Sequence, residues 1–193
     1  MLNKYFNFKR KLLQVLKYII LKCNNKIIIG KNVKIDFNSK LIVQGQIYLG
    51  NNISLRSFKR GYHAGMPFST TILVDNKDAK VRIGDNTRIN GAYIHSQKSI
   101  TIGKNCVIAS GVQIIDTNGH EVFSIDRTIG RDIPKEIIIG ENVWIGINAI
   151  ILKGTVIGNN CVIGANTVIK GQYFENSIIT TANNYVKKVN FEK

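Results

Sequence analysis

The sequence predicts an all-β solenoid: short parallel strands wound into a triangular coil, preceded by a short N-terminal α-helix and interrupted by two inserted loops. Three observations lead to this architecture. Aliphatic residues recur every six positions, as in the unbroken series Ile139, Ile145, Ile151, Ile157, Ile163 and Ile169. A phrase of aliphatic residue, Gly, any residue and Asn returns at Ile29, Leu49, Ile83, Ile102, Ile139 and Ile157. Successive phrases stand 18, 19 or 20 residues apart in three intervals and 34 and 37 apart in the other two. A helix has period 3.6 and a two-sided strand period two, so neither accounts for six. Three hexapeptides per turn of a solenoid do.

The first element, residues 1–24, reads as a basic amphipathic helix. Leu12, Leu13, Leu16, Ile19 and Ile20 fall on one helical face, and Lys9, Arg10, Lys11, Gln14, Lys17 and Lys22 interrupt the apolar run. No stretch reaches the length needed to span a bilayer, and no small-residue cleavage site follows. The apolar face is expected to pack on the body of the protein. The alternative role is contact with a membrane surface.

The solenoid follows over residues 25–170. Ile29, Ile35, Leu41 and Ile47, and later Ile102, Ile108 and Ile114, keep the six-residue step. Each is expected to point inward and to stack on its counterpart one coil away. Gly and Asn of the repeated phrase are expected at the corners, in backbone conformations that other residues resist. Cys106 and Cys161 stand four residues after Ile102 and Ile157, where Val33, Thr87 and Val143 stand in other coils. That is a core position for small residues rather than a place for a reactive thiol.

The two long intervals mark insertions at corners. The first, Phe58–Thr70, carries His63 among Tyr62, Met66 and Phe68, a composition suited to a lid. The second, Asp116–Glu136, carries His120 and returns through Pro134. Insertions in a solenoid are where function concentrates. The remaining segment, 171–193, is expected to form a C-terminal tail.

Composition narrows the partners. Lys and Arg total 27 against 12 Asp and Glu, a net charge of +15. This favours anionic partners such as acidic lipid, nucleic acid or phosphorylated small molecules. Three cysteines without regular spacing argue against a disulfide framework and for a reducing compartment, the cytoplasm, with the inner face of the membrane as an added site of contact.

Residues 27–170 closely resemble the hexapeptide-repeat transferases, whose fold is the left-handed parallel β-helix. The order of loop, His120 and the Trp144-bearing coil resembles the sugar and xenobiotic acetyltransferase branch, which includes bacterial surface-polysaccharide acetyltransferases. The resemblance implies His120 as the catalytic base, followed by Arg127. A near-neutral imidazole suits removal of a proton from an attacking hydroxyl or amine. Asp116 is a candidate to orient the ring, a task that a backbone carbonyl would serve equally. The resemblance further implies acetyl-CoA as acyl donor, held along Trp144, Gly146, Ala149 and Ala165, with Lys170 near its phosphates. Asn90 and His95 are candidates for the sugar or nucleotide-sugar acceptor, and a homotrimer with sites between subunits is implied. No nucleic-acid partner is expected, and no metal either, because the three histidines lack the His-x4-His pair of the zinc carbonic anhydrases of this fold, which weakens the metal reading alone. A non-catalytic scaffold is the other alternative, against which the His120 loop argues. The tail departs from the family: 179–185 reads ITTANNY, without the usual Gly and Pro.

Overall fold

In a computed structural model, residues 2–58, 62, 65–181 and 186–188 are described, with only the backbone for 2–7 and 186–188. The chain folds as a left-handed parallel β-helix capped at its N-terminal end by helix α1 (Leu2–Lys22). Face one holds seven parallel strands, from Ile27–Ile29 to Gln172–Tyr173; face two runs from Lys34–Ile35 to Ser177–Ile179; face three holds six, from Lys40–Val43 to Val168–Ile169. Each coil passes from face one to two to three, so three corners run the length of the solenoid.

The six-residue step produces the core. Ile35, Ile47, Ile72, Ile94, Ile108, Ile114, Ile145 and Ile163 are all completely buried. Pairing keeps them stacked: Ile94 registers with Ile114, which registers with Ile151. Cys106 and Cys161 lie fully buried in this column, and burial pushes both thiols up from their ordinary pKa.

The repeated phrase divides its labour at the first corner. Asn32, Asn52, Asn86, Asn105, Asn142, Asn160 and Asn176 all have positive φ, between 54° and 62°. Their side-chain amides link successive coils, Asn32 donating to Asn52, Asn52 to Asn86 and Asn86 to Asn105 at 2.9–3.1 Å, then Asn142 to Asn160 and Asn160 to Asn176 at 3.0 Å. The glycines are needed for a different reason. A Cβ on Gly103 would stand 2.4 Å from the Gly140 carbonyl oxygen of the next coil. Asn supplies the left-handed turn and Gly the close stacking, whereas the sequence alone assigns both to backbone conformation.

Two expectations are corrected. Most of the apolar face of α1 does not pack on the body: Leu12, Leu16, Ile19 and Ile20 are exposed, and only Leu13 is half-buried, lining a cavity with Asp36, Phe37 and Phe58. The helix docks through the opposite side, where Arg10 and Gln14 donate to the buried Asp36 carboxylate at 2.7–3.0 Å and Leu21 joins the core. The Asp36 carboxylate also accepts from the backbone N–H groups of Ser57 and Phe58. Burying this carboxylate among five donors wins over burying the leucine stripe, because an unpaired charge there would be costly. The solenoid also continues beyond residue 170. Tyr173 registers with Ile157 and Ile179 with Ile163, after which Val186–Lys188 returns antiparallel on Ser177–Ile179.

Candidate active site

Loop 116–136 leaves face three after Ile115 and rejoins face one at Ile137, so it springs from the third corner. It is a braced hairpin. His120 bridges Arg131, and the Glu121 N–H donates to the Gly130 carbonyl at 3.3 Å. Its base is pinned by Asp132, whose carboxylate accepts from the Asn118 N–H at 2.8 Å and pairs with Lys153. Burial works to raise the Asp132 pKa, but the Asn118 N–H and the Lys153 ammonium outweigh it and hold the carboxyl below its usual range. The backbone ties the loop down as well, Lys135 N–H donating to the Asp116 carbonyl at 2.9 Å.

His120 is exposed on this hairpin, with Nδ1 2.6 Å from the Arg127 carbonyl oxygen. A carbonyl only accepts, so Nδ1 carries the ring proton and Nε2 presents its lone pair outward. This is the tautomer a general base needs. Asp116 does not orient the ring. Its fully buried carboxylate accepts from Ser96 Oγ and from the backbone N–H groups of Gln97, Lys98 and Ser99 at 2.7–2.9 Å, which fixes the turn after the strand Tyr93–Ser96. Four nearby donors, three of them backbone amides, outcompete a side chain on a protruding loop.

The other predicted residues fall into separate places. Trp144 lies on the outer side of face two, 55% exposed, and registers with Val107 and Val162. With Asn90 it lines a cleft of about 570 Å³, together with Arg56, Tyr62, Arg88 and Ala109. Asn90 is buried, its Nδ2 donating to the Ile108 carbonyl at 3.2 Å, while Oδ1 has no partner among the described residues. The first insertion covers this region: Ser110 Oγ donates to the Gly65 carbonyl at 2.7 Å, and Met66 packs on Gly91. His63 lies outside the described residues.

Gly146 and Ala165 follow at the second corner, so close that a Cβ on Gly146 would meet the Ala165 nitrogen at 2.7 Å. Ala149 is completely buried in the core, side chain and backbone alike. Lys170 is exposed at the third corner, on the His120 side and away from Trp144. His95 lies on face three, apart from Asn90, with Nε2 3.0 Å from an Asp75 carboxylate oxygen but off the hydrogen-bonding angle. Within one chain, the structure therefore brings Asn90 and Trp144 together and holds His120 at a different corner.

Arg56, Arg88, Asp132 and Lys153 were not singled out by sequence reasoning. A signal existed for the two arginines: they flank the inward Leu55 and Ile89, which puts them on the outer side of face two. Asp132 and Lys153 carry no comparable local signal, since their pairing depends on how the loop folds back.

Two family models match the chain, the bacterial transferase hexapeptide (six repeats) over residues 136–171 and the hexapeptide repeat of succinyl-transferase over 80–115. Both matches fall on coils that the geometry has already defined. Residues 80–115 and 136–171 are hexapeptide repeats. This hexapeptide-repeat chain is 38% identical over 119 residues to the putative lipopolysaccharide biosynthesis O-acetyl transferase WbbJ of Escherichia coli K12, covering 56% of the chain and 60% of the relative. It is 34% identical over 134 residues to the polysialic acid O-acetyltransferase of Neisseria meningitidis, covering 68% and 57%. The hexapeptide-repeat chain thus spans less than two thirds of the length of these curated relatives. Among solved structures, it resembles a hexapeptide-repeat acetyltransferase of Vibrio cholerae complexed with acetyl coenzyme A, with a TM-score of 0.51, 30% identity, and coverage of 55% of this chain and 58% of the other.

Proposed function

We propose that the protein transfers an acetyl group from acetyl-CoA to a hydroxyl of a sugar or nucleotide-linked sugar destined for a surface polysaccharide. The observation that carries this reading is the Nδ1 contact of His120 with the Arg127 carbonyl, which leaves Nε2 free to act as a base. Nε2 takes the acceptor hydroxyl proton as the oxygen attacks the thioester carbon. The tetrahedral adduct then collapses, the carbon–sulfur bond breaks, and the imidazolium returns the proton to the departing sulfur. The O-acetyltransferase relatives and the acetyl-CoA-bound neighbour support the choice of donor and acceptor.

The cleft on face two suits the ligands. Half-exposed Trp144 offers an apolar wall for the acyl-carrying arm, and Arg56 and Arg88 offer cations for phosphate or carboxylate. The unpartnered Asn90 Oδ1 calls for a donor, which a sugar hydroxyl supplies. Because His120 stands at another corner, the complete site forms between subunits of a homotrimer, in which the loop of one chain reaches the cleft of the next. Exposed Phe123, Ile125, Ile129 and Ile133 on that loop favour such a contact. The cytoplasm, where acetyl-CoA is made available, is the proposed compartment.

The test is release of free CoA from acetyl-CoA in the presence of a panel of sugars and nucleotide sugars. Acceptor-dependent release by the wild type and its loss in His120→Ala is the expected outcome. Background release with every acceptor, or equal rates in the two proteins, would overturn the reading. Mixed trimers of His120→Ala and Trp144→Ala, each inactive alone, should regain activity if the site is shared; no recovery in verified mixtures places it within one chain.

A further inference from the structure

Helix α1 presents its two sides in an order opposite to that of an ordinary packed helix. Arg10, Gln14 and Leu21 face the solenoid, and Arg10 is neutralised by Asp36. Phe8, Leu12, Val15, Leu16, Ile19 and Ile20 face away and are 46% to 68% exposed. At about 100° per residue these six fall within one arc of about 140°. Lys11 and Lys22 border the arc on one side, and Lys9 lies just inside its other edge, between Leu16 and Ile20 around the helix; all three are exposed. The helix contains no Asp or Glu.

We propose that this stripe seats α1 flat on an anionic lipid surface. The geometry matches an interfacial helix: an apolar strip to enter the acyl boundary, and lysines at its edges whose stems lie along it while their ammonium groups reach lipid phosphates. A second copy of the chain fits less well. Stripe-to-stripe pairing of two such helices would set rows of lysine side by side with no acid on either helix to offset them. Spanning is also inconsistent, since no described helix is long and apolar enough to cross a membrane. The bidentate Arg10–Asp36 pair makes the orientation a fixed property of the molecule, because it ties the opposite side of α1 to the first coil. The cation of Arg10 also lies 5.3 Å from the Phe58 ring centre, and that of Lys17 5.8 Å from that of Phe37, which adds two further ties on the docked side. This inference concerns a surface remote from His120 and stands independently of the proposed reaction.

Sedimentation of the full chain with vesicles tests it. Binding is expected to vesicles of phosphatidylcholine mixed with phosphatidylglycerol, to weaken with added salt, and to be slight with phosphatidylcholine alone. Leu16→Glu with Ile19→Glu should reduce the bound fraction about tenfold or more without changing the melting temperature. Lys9→Glu with Lys11→Glu and Lys22→Glu, surface changes that leave the core untouched, should remove the preference for the anionic lipid. Wild-type protein that stays in the supernatant with the anionic vesicles would refute the proposal. So would glutamate variants that keep their vesicle binding but shift to a smaller oligomer, which would assign the stripe to contact between copies.

Discussion

His120 Nδ1 and the Arg127 carbonyl oxygen lie 2.6 Å apart, so the main chain, not a carboxylate, sets the tautomer of the exposed histidine. Two substitutions separate the roles. His120→Ala should lower kcat by about 10²–10⁴-fold with an unchanged melting curve. Arg127→Ala keeps the carbonyl and removes only the bond of its guanidinium to the Val122 carbonyl, so its loss should be under about tenfold. Steady-state rates with a responsive acceptor check both, and a larger loss in the arginine variant would put the guanidinium, not the carbonyl, at the centre of the site.

Asp116 should behave as an anchor. Asp116→Ala leaves three backbone N–H groups without their acceptor, each worth about 1–3 kcal/mol when buried without a partner, whereas Ser96 Oγ keeps the Lys80 carbonyl at 3.4 Å. Chemical denaturation should report a loss of about 3 kcal/mol or more, while turnover per folded molecule at low temperature stays near wild type. Wild-type stability combined with lost turnover would return Asp116 to a role beside His120.

The Asp132–Lys153 pair makes the loop acid-sensitive. The folded-state pKa of Asp132 is depressed, so its contribution is complete above the unfolded value of about 3.9 and is lost as pH falls through the lower folded value. Limited proteolysis between residues 116 and 136 should accelerate in that acid window. Asp132→Asn should show the faster cleavage already at neutral pH, whereas identical profiles for the two proteins would remove the pair from the account of the loop.

Arg88→Glu should raise the KM for an anionic ligand with little change in kcat, and added salt should shrink the difference from wild type. The effect should be larger for a charged acceptor or donor than for a neutral sugar. Equal KM values for charged and neutral ligands would exclude the cleft from anion recognition.

Thiol reagents should distinguish the cysteines. Cys23 is exposed, while Cys106 and Cys161 are buried with raised pKa values. Mass spectrometry of native protein treated with iodoacetamide near neutral pH should find modification at Cys23 alone, with activity retained.

The coils were legible in the sequence because every inward position repeats the same physical requirement: an aliphatic side chain each sixth residue. The loop limits 116–136 were legible for the same reason, since the period stops at Ile114 and restarts at Ile139. The last coil was hidden by a shortened step, four residues from Ile169 to Tyr173 instead of six, and by an aromatic residue in the aliphatic place. The direction of α1 was not legible, because it is decided by one carboxylate, Asp36, that sits outside the helix and draws Arg10 and Gln14 inward. The partner of His120 was open for a similar reason. Spacing shows that Asp116 is near in sequence, but not that the turn 96–99 has already taken its oxygen atoms.

Ile83 registers with Ile102 and Ile102 with Ile139, so steps of 19 and 37 residues produce the same stacking. The coils on either side are blind to the length of what is spliced between them. Extending such an excursion costs closure entropy that grows only with the logarithm of its length, roughly 0.6 kcal/mol per doubling. The hairpin that displays His120 is thus a cassette: it can be lengthened, shortened or exchanged while every downstream frame is preserved, and the reach of His120 can change without renegotiating the core.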